Sequence, residues 1–335
     1  TAIFNASCVK FTCNRPAIGA QISLIFIENL GAAMIKPYLY IAATSLILTS
    51  FSSVSAEQCN DVSLQVLGSG GPELNDGRAS TSYLIWHNHK ARVLVDVGSG
   101  ASVGFDKAGA KFSDIDAILL SHLHSDHAGD LPSFIKGSYF TQRGKALAIY
   151  GPKGNHIMAS TNEYTQNLLG DKGAFRYLSD YINGNESYTL DIRSVKSSKE
   201  QPFNHSLQND LVVKALTVNH GPIPALAWRV NIAGCELVFS GDMTNKLGTF
   251  TEFAKNADVV VMHNAIDENS SSGAKNLHIT PSAITAVLKV VEPRVTVISH
   301  FMNRSLKNQQ RFNKSLNKAL KSKVIFAEGG LLIDL

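Results

Sequence analysis

The run Ser121-His122-Leu123-His124-Ser125-Asp126-His127 packs three imidazoles and a carboxylate into one short stretch. Residues 115–120 just before it are apolar and read as a short strand. Residues two apart at a strand end point the same way. His122 and His124 can therefore grip one metal ion together. Asp126 and His127, on the turn that follows, can reach a second ion. Imidazole and carboxylate suit zinc and its neighbours in the first transition row. The plain alternative is a solvated loop that happens to hold histidines, and this spacing argues against it.

Further ligands must come from later in the chain. His220 closes the strand-like run 211–219 and precedes Gly221-Pro222. Asp242 follows residues 236–239 in Ser240-Gly241-Asp242, and His300 follows residues 295–299. Each sits where a strand delivers its last side chain to a common rim. The expected arrangement puts His122, His124 and His220 on one ion and Asp126, His127 and His300 on the other, with Asp242 bridging. Two zinc ions are expected, with manganese or iron as alternatives. A hydroxide shared by two cations is a nucleophile at neutral pH, because the cations lower the pKa of bound water. Asp126 belongs to the expected catalytic set as well as to the ligands. Taken alone, His220 or His300 reads equally as a core histidine with a satisfied hydrogen bond.

The elements that must position these residues come in a telling order. Runs 62–67, 82–86 and 92–95 read as strands, and 105–110 as part of a helix. Run 146–150 is a strand, and 155–181 is mostly helical. Runs 211–218, 227–232 and 236–239 are strands, 247–255 is a helix and 259–262 a strand. Residues 281–290 form a helix, 295–299 a strand, and 324–326 with 331–333 a closing pair. Hairpin-like strands followed by strand–helix alternation fit an α/β fold of two mixed sheets packed face to face with helices outside.

Composition agrees with a real core. The 335 residues are 44% hydrophobic and 17% charged. Of the net charge of +4, the first 56 residues supply +2, from Lys10, Arg15 and Lys36 against Glu28, which leaves +2 for the rest. That is too weak for a nucleic-acid-binding surface. From Met34 the pattern is that of a secretory signal peptide. Lys36 precedes an apolar run at 38–48, and Val54-Ser55-Ala56 offers a cleavage site. The run is short for a transmembrane anchor. Residues 34–56 are thus expected to be a cleaved signal, 1–33 translated upstream sequence, and 57–335 a single hydrolase domain in the periplasm or outside the cell. Cys59 and Cys235 remain after cleavage; an oxidising compartment would let them pair, and two unrelated buried thiols is the equal alternative.

These motifs resemble the metallo-β-lactamase superfamily, and within it the ribonuclease Z and zinc arylsulfatase branch. Leu67-Gly68-Ser69-Gly70-Gly71-Pro72 with Arg78 is similar to the branch's opening motif, and Val93-Leu94-Val95-Asp96-Val97-Gly98-Ser99-Gly100 to its second. His278-Ile279-Thr280 resembles its His-Ser-Thr motif, and His300-Phe301-Met302-Asn303-Arg304 its final segment. The resemblance implies the αββα sandwich and makes Asp96 a support for the metal loop. It gives His278 a catalytic role at the charged oxygens or the leaving oxygen of an ester. The plain alternative for His278 is a cap on the helix that begins at Pro281. His263, where the branch has His-Glu-Ala, joins the catalytic set, although Asn264 replaces the acid. His87, His89, His156 and His205 read as surface residues.

Ribonuclease Z carries a tRNA-binding arm between the ligands that match His220 and Asp242. Here two strands and a turn at Ala233-Gly234 fill that interval. The lactam-hydrolysing branch usually has Cys where Asp242 stands. The expectation is therefore an exported hydrolase of a small anionic ester, an aryl sulfate or a phosphodiester such as a cyclic nucleotide, with no nucleic-acid partner and no membrane anchor after cleavage. The alternatives are a lactonase or thioesterase, a ribonuclease Z-like nuclease without its arm, or a non-catalytic metal-binding protein. Homodimer formation is left open.

Overall fold

The computed structural model describes residues 59–198, 201–208 and 210–335. The signal-like segment 34–56 and the residues before it lie outside them. Strand β1 (Val62–Gly68) alternates inward and outward side chains. Strands β2 (Ser82–His87) and β3 (Lys90–Val97) form a hairpin whose two loop residues, Asn88 and His89, both have left-handed backbone (φ 51° and 58°). Such turns match the natural twist of paired strands. Strands β4 (Ala117–Leu119), β5 (Leu147–Pro152) and β6 (Leu190–Val195) extend this sheet in parallel.

The second sheet holds β7 (Phe203–Ser206), β8 (Leu211–His220), β9 (Ile223–Ile232), β10 (Cys235–Phe239), β11 (Val259–His263), β12 (Val295–Ser299) and β13 (Lys323–Phe326). These pair in reverse chain order from β13 to β7. Strand β14 (Leu332–Asp334) then crosses back to the free edge of β1. Each sheet has seven strands among the described residues.

Strand alternation builds three apolar layers. Leu64, Val93 and Leu119 of the first sheet meet Val213, Trp228, Val261 and Val297 of the second between the sheets. The first sheet's outer face carries Leu94, Ile118 and Ile149. Packed on it are α1 (Ala101–Lys107), α2 (Ser125–Ala128), α3 (Leu131–Ser138), α4 (Thr161–Leu169) and α5 (Asp180–Asn183). Past α6 (Phe250–Phe253) and α7 (Ser272–Lys275) come α8 (Pro281–Val291), α9 (Asn303–Leu306) and α10 (Gln309–Ala319). Of these, α6, α8 and α10 cover Val260, Met262 and Ile298 on the second sheet's outer face. The result is the expected αββα sandwich. No helix among the described residues is long and apolar enough to cross a membrane.

Three expectations change. Helix α1 begins four residues before residue 105, directly after Gly100 in a left-handed conformation (φ 89°). The stretch 155–181 is not one helical run; Gly170 and Gly173 break it into α4, a 3-10 turn at Arg176–Leu178 and α5. The closing strands do not pair with each other, because β13 and β14 cap different sheets. Cys59 and Cys235 form a disulfide with a Cα–Cα distance of 4.7 Å, so the start of the described chain is tied to the first residue of β10.

Candidate metal centre

Asp96, next to last in β3, has left-handed backbone (φ 57°) and turns its buried carboxylate across the sheet. It accepts hydrogen bonds from Ser121 N (2.6 Å) and Ser121 Oγ (2.8 Å) and pairs with His127 Nδ1 at 2.8 Å. These bonds pin the loop after β4 and the start of α2. Gly98 lets that loop approach, since a Cβ there would lie 2.1 Å from the Asp126 carbonyl oxygen. The loop presents His122 and His124, with Nε2 and Nδ1 only 2.9 Å apart. Strand β8 ends on His220, whose Nδ1 is 2.7 Å from the Leu277 carbonyl oxygen and so donates to it. One ring nitrogen from each of His122, His124 and His220 lies within 4.8 Å of the others.

A second group stands beside the first. His127 Nε2 and His300 Nε2 face each other at 3.0 Å. Asp126 Oδ2 is 3.5 Å from the former and 3.3 Å from the latter. Asp242 Oδ2 is 3.3 Å from His300 Nε2, 3.7 Å from His127 Nε2 and 3.9 Å from His220 Nε2 of the first group. His300 also has left-handed backbone (φ 56°), a conformation costly for a residue with a Cβ. The loop after β1 holds it there. Gly71 N donates to Phe301 O (3.0 Å) and Phe301 N to Ser69 O (2.8 Å). Arg78 donates to Ser69 Oγ (2.8 Å) and lies over the Phe301 ring. A Cβ on Gly71 would lie 3.1 Å from His300 Cε1.

His263 ends β11 and lies behind Asp242. Its Nδ1 is 2.8 Å from Asp242 Oδ1, and its Nε2 is 3.0 Å from the hydroxyl of Tyr83. The sequence places His263 in the catalytic set; the structure puts it beside His127, Asp242 and His300 with both of its ring nitrogens engaged by protein groups. Tyr83 was missed. Alternation along β2 turns it inward, but no local signal shows that its hydroxyl meets an imidazole from the other sheet. His278 lies nearer the surface, with Nδ1 3.5 Å from Asp242 Oδ2 and its ring 5.2 Å from that of His220. It does not cap α8. Thr280 does, accepting from Ala283 N, with Pro281 in the first turn. His87, His89, His156 and His205 belong to none of these groups.

Burial pushes the pKa values of His122 and His220 down, that of His263 to about 4 and that of His278 to about 3. Neutral imidazole is the form that binds a metal. Burial alone would raise Asp126 and Asp242, but His127 and His300 outweigh it and hold both carboxylates below their usual range. Burial lowers His127, yet Asp126, Asp96 and Asp242 around it push its pKa well above the ordinary value. So many acids about one imidazole make a place that favours added positive charge. His220 Nε2 is buried without a hydrogen-bond partner. Convergent ring nitrogens, an orphaned one among them, and ionised carboxylates fit divalent cations.

Comparison with known proteins bears on the fold. Ribonuclease Z of Mycolicibacterium paratuberculosis is 27% identical over 204 residues, 60% of this chain and 69% of that protein. The metallo-β-lactamase fold protein YhfI from Bacillus subtilis superposes with a TM-score of 0.63 at 17% identity, over 81% of this chain and 98% of its own. Zinc-bound PqqB from Methylobacterium extorquens superposes with a TM-score of 0.59 at 13% identity, over 82% of this chain and 100% of its own. The fold is that of the metallo-β-lactamases. The model of the family described as Anti-Pycsar protein Apyc1 matches residues 62–315, from β1 into α10 and across every residue of both groups, and the chain belongs to that family.

Proposed function

We propose that this metallo-β-lactamase-fold hydrolase holds two metal ions, zinc by preference, and cleaves a small anionic ester, with a phosphodiester such as a cyclic nucleotide ahead of an aryl sulfate. One observation carries the reading: Asp242 Oδ2 lies within 3.9 Å of ring nitrogens from both groups, so one carboxylate oxygen can serve two cations. Bound cations would polarise the ester and acidify water enough to make a nucleophile at neutral pH. His122, His124 and His220 would hold one, and Asp126, His127 and His300 the other. The chain itself supplies His278, a neutral imidazole beside Asp242 and able to donate to an anionic or leaving oxygen.

The ribonuclease Z relatives favour a phosphodiester over a sulfate. A small substrate is favoured because β8, β9 and β10 run from His220 to Asp242 as two consecutive hairpin connections, with a turn at Ala233-Gly234 and no inserted arm. Purified protein should be offered bis-nitrophenyl phosphate, nitrophenyl sulfate, a lactone and a cephalosporin, with metal content measured on the same sample. Two ions per chain and fastest turnover of the phosphodiester are expected. One ion per chain, with Asp126→Ala leaving count and rate unchanged, would sink the two-metal reading. Fastest turnover of the lactone would replace the substrate class.

Export belongs to the same proposal. The Cys59–Cys235 disulfide supports it, since such bonds persist in oxidising compartments. Mass spectrometry of protein from the periplasm or medium should find Glu57 at the N-terminus. Protein found only in the cytosol, with residues 34–56 intact, overturns export.

A further inference from the structure

Asp242 is the residue on which the two groups of ligands meet, and its two oxygens have different neighbours. Oδ2 faces His127, His220 and His300. Oδ1 faces His263 Nδ1 at 2.8 Å. A carboxylate can only accept there, so Nδ1 carries the hydrogen. In a neutral imidazole the other nitrogen is then an acceptor. His263 Nε2 points at the Tyr83 hydroxyl, 3.0 Å away, and Tyr83 therefore donates to it. Tyr83 is fully buried on β2 of the first sheet, whereas His263 and Asp242 follow strands of the second. Its ring packs 5.5 Å from that of Phe239, just ahead of the Ser240-Gly241-Asp242 turn.

We propose that Tyr83 is a positioning residue: a hydroxyl from one sheet that donates to Nε2 of His263 and fixes the angle of its ring, so that Asp242 keeps Oδ1 occupied and Oδ2 turned toward the cations. Asp242 holds the hydrogen on Nδ1, and the hydroxyl meets the Nε2 lone pair at the far end of the ring. Without the hydroxyl that lone pair is buried unmet and the ring is held from one end only, so Oδ1 loses a fixed partner. A partner in this layer fixes a ring and a carboxylate angle rather than touching the metal, and its loss lowers metal affinity by about 10–100-fold. The inference rests on the two-metal reading for its consequence, but the tautomer assignment does not.

Two measurements separate these. Nitrogen-15 NMR of the full-length wild-type protein, metal-free, should show His263 protonated at Nδ1 with Nε2 accepting. The opposite tautomer overturns the proposal whatever the metal count. Zinc titration against a chelator then compares wild type, Tyr83→Phe, His263→Ala, the double variant and Phe239→Leu. Wild type binding fewer than two ions refutes the two-metal reading instead. With two ions bound, Tyr83→Phe should weaken zinc binding about 10–100-fold, and that loss should vanish in the His263→Ala background. Phe239→Leu disturbs the packing around the same ring and should leave zinc affinity within a few-fold. Unchanged affinity in Tyr83→Phe, or the same loss with and without His263, means that the tyrosine only fills space and overturns the proposal.

Discussion

The two groups of ligands are built from different material. His122, His124 and His220 form an all-imidazole set, and His124 is partly open to solvent. Its protein support within that set is slight: His220 leans on the Leu277 carbonyl, and Ser121 Oγ lies 3.1 Å from His122 Nδ1. The other group, around His127 and His300, stands among three carboxylates and is braced from both sheets by Asp96, His263 and Tyr83. On the proposed two-ion reading, charge and bracing both favour tighter cation binding in the second group, and the more open set, with Asp242 as its one nearby carboxylate, should release its ion more readily. The difference teaches that one carboxylate can stand between two groups of side chains whose surroundings are unequal.

The largest effect should come from removing the shared oxygen. Asp242→Ala is expected to lose both ions and to reduce activity beyond the roughly 100-fold that loss of a supporting partner causes. Elemental analysis showing one ion retained at full affinity would mean that the sites do not share this residue. Next comes His278→Ala, which should keep both ions and slow turnover by about 10²–10⁴-fold. The loss should be greatest for esters with poor leaving groups and smallest for nitrophenolates. Equal losses on both would mean that the His278 N–H binds the non-bridging oxygens rather than the leaving oxygen.

Asp96→Asn tests the bracing. It keeps the shape but removes the charge beside His127, and the affinity of the His127 group should drop by about 10–100-fold, more than that of the His122 group. A chelation curve in which both steps move equally would erase the proposed asymmetry. Smallest is Thr280→Ala, which removes the cap of α8 and should lower stability by about 1 kcal/mol. Turnover should stay within two-fold, because the cap and His278 do separate work. A large fall in rate at unchanged stability would join the two.

The residues that the structure gathers into the two groups were legible because strand ends and histidine spacing are local signals. His122 and His124 announce themselves together, and His220, Asp242 and His300 each close an apolar run. What was not legible depends on distant partners. Helix α10 buries only Phe312 and Leu316 along a largely polar sequence, so too few apolar residues mark it. Strand β7 is four residues of half-exposed edge, and α3 contains both Pro132 and Gly137, poor helix formers. Nothing in residues 323–334 says that successive short strands go to opposite sheets. The support layer was half visible: Asp96 through a resemblance, Tyr83 not at all, since its partner His263 lies 180 positions away in the chain.

The Cys59–Cys235 bond turns most of the protein into a covalent ring. Inside it lie all of the first sheet except β14, and the second sheet as far as the start of β10. His122, His124, Asp126, His127 and His220 are on the ring, whereas Asp242, His263, His278 and His300 are on the tail that leaves it. A protease that cuts once between the two cysteines cannot release a fragment. The pieces stay joined through sulfur, and every ligand remains linked to every other. Wherever proteases meet it, a nick in a surface loop of the ring would leave residues from His122 to His300 covalently connected through sulfur until the bond is reduced.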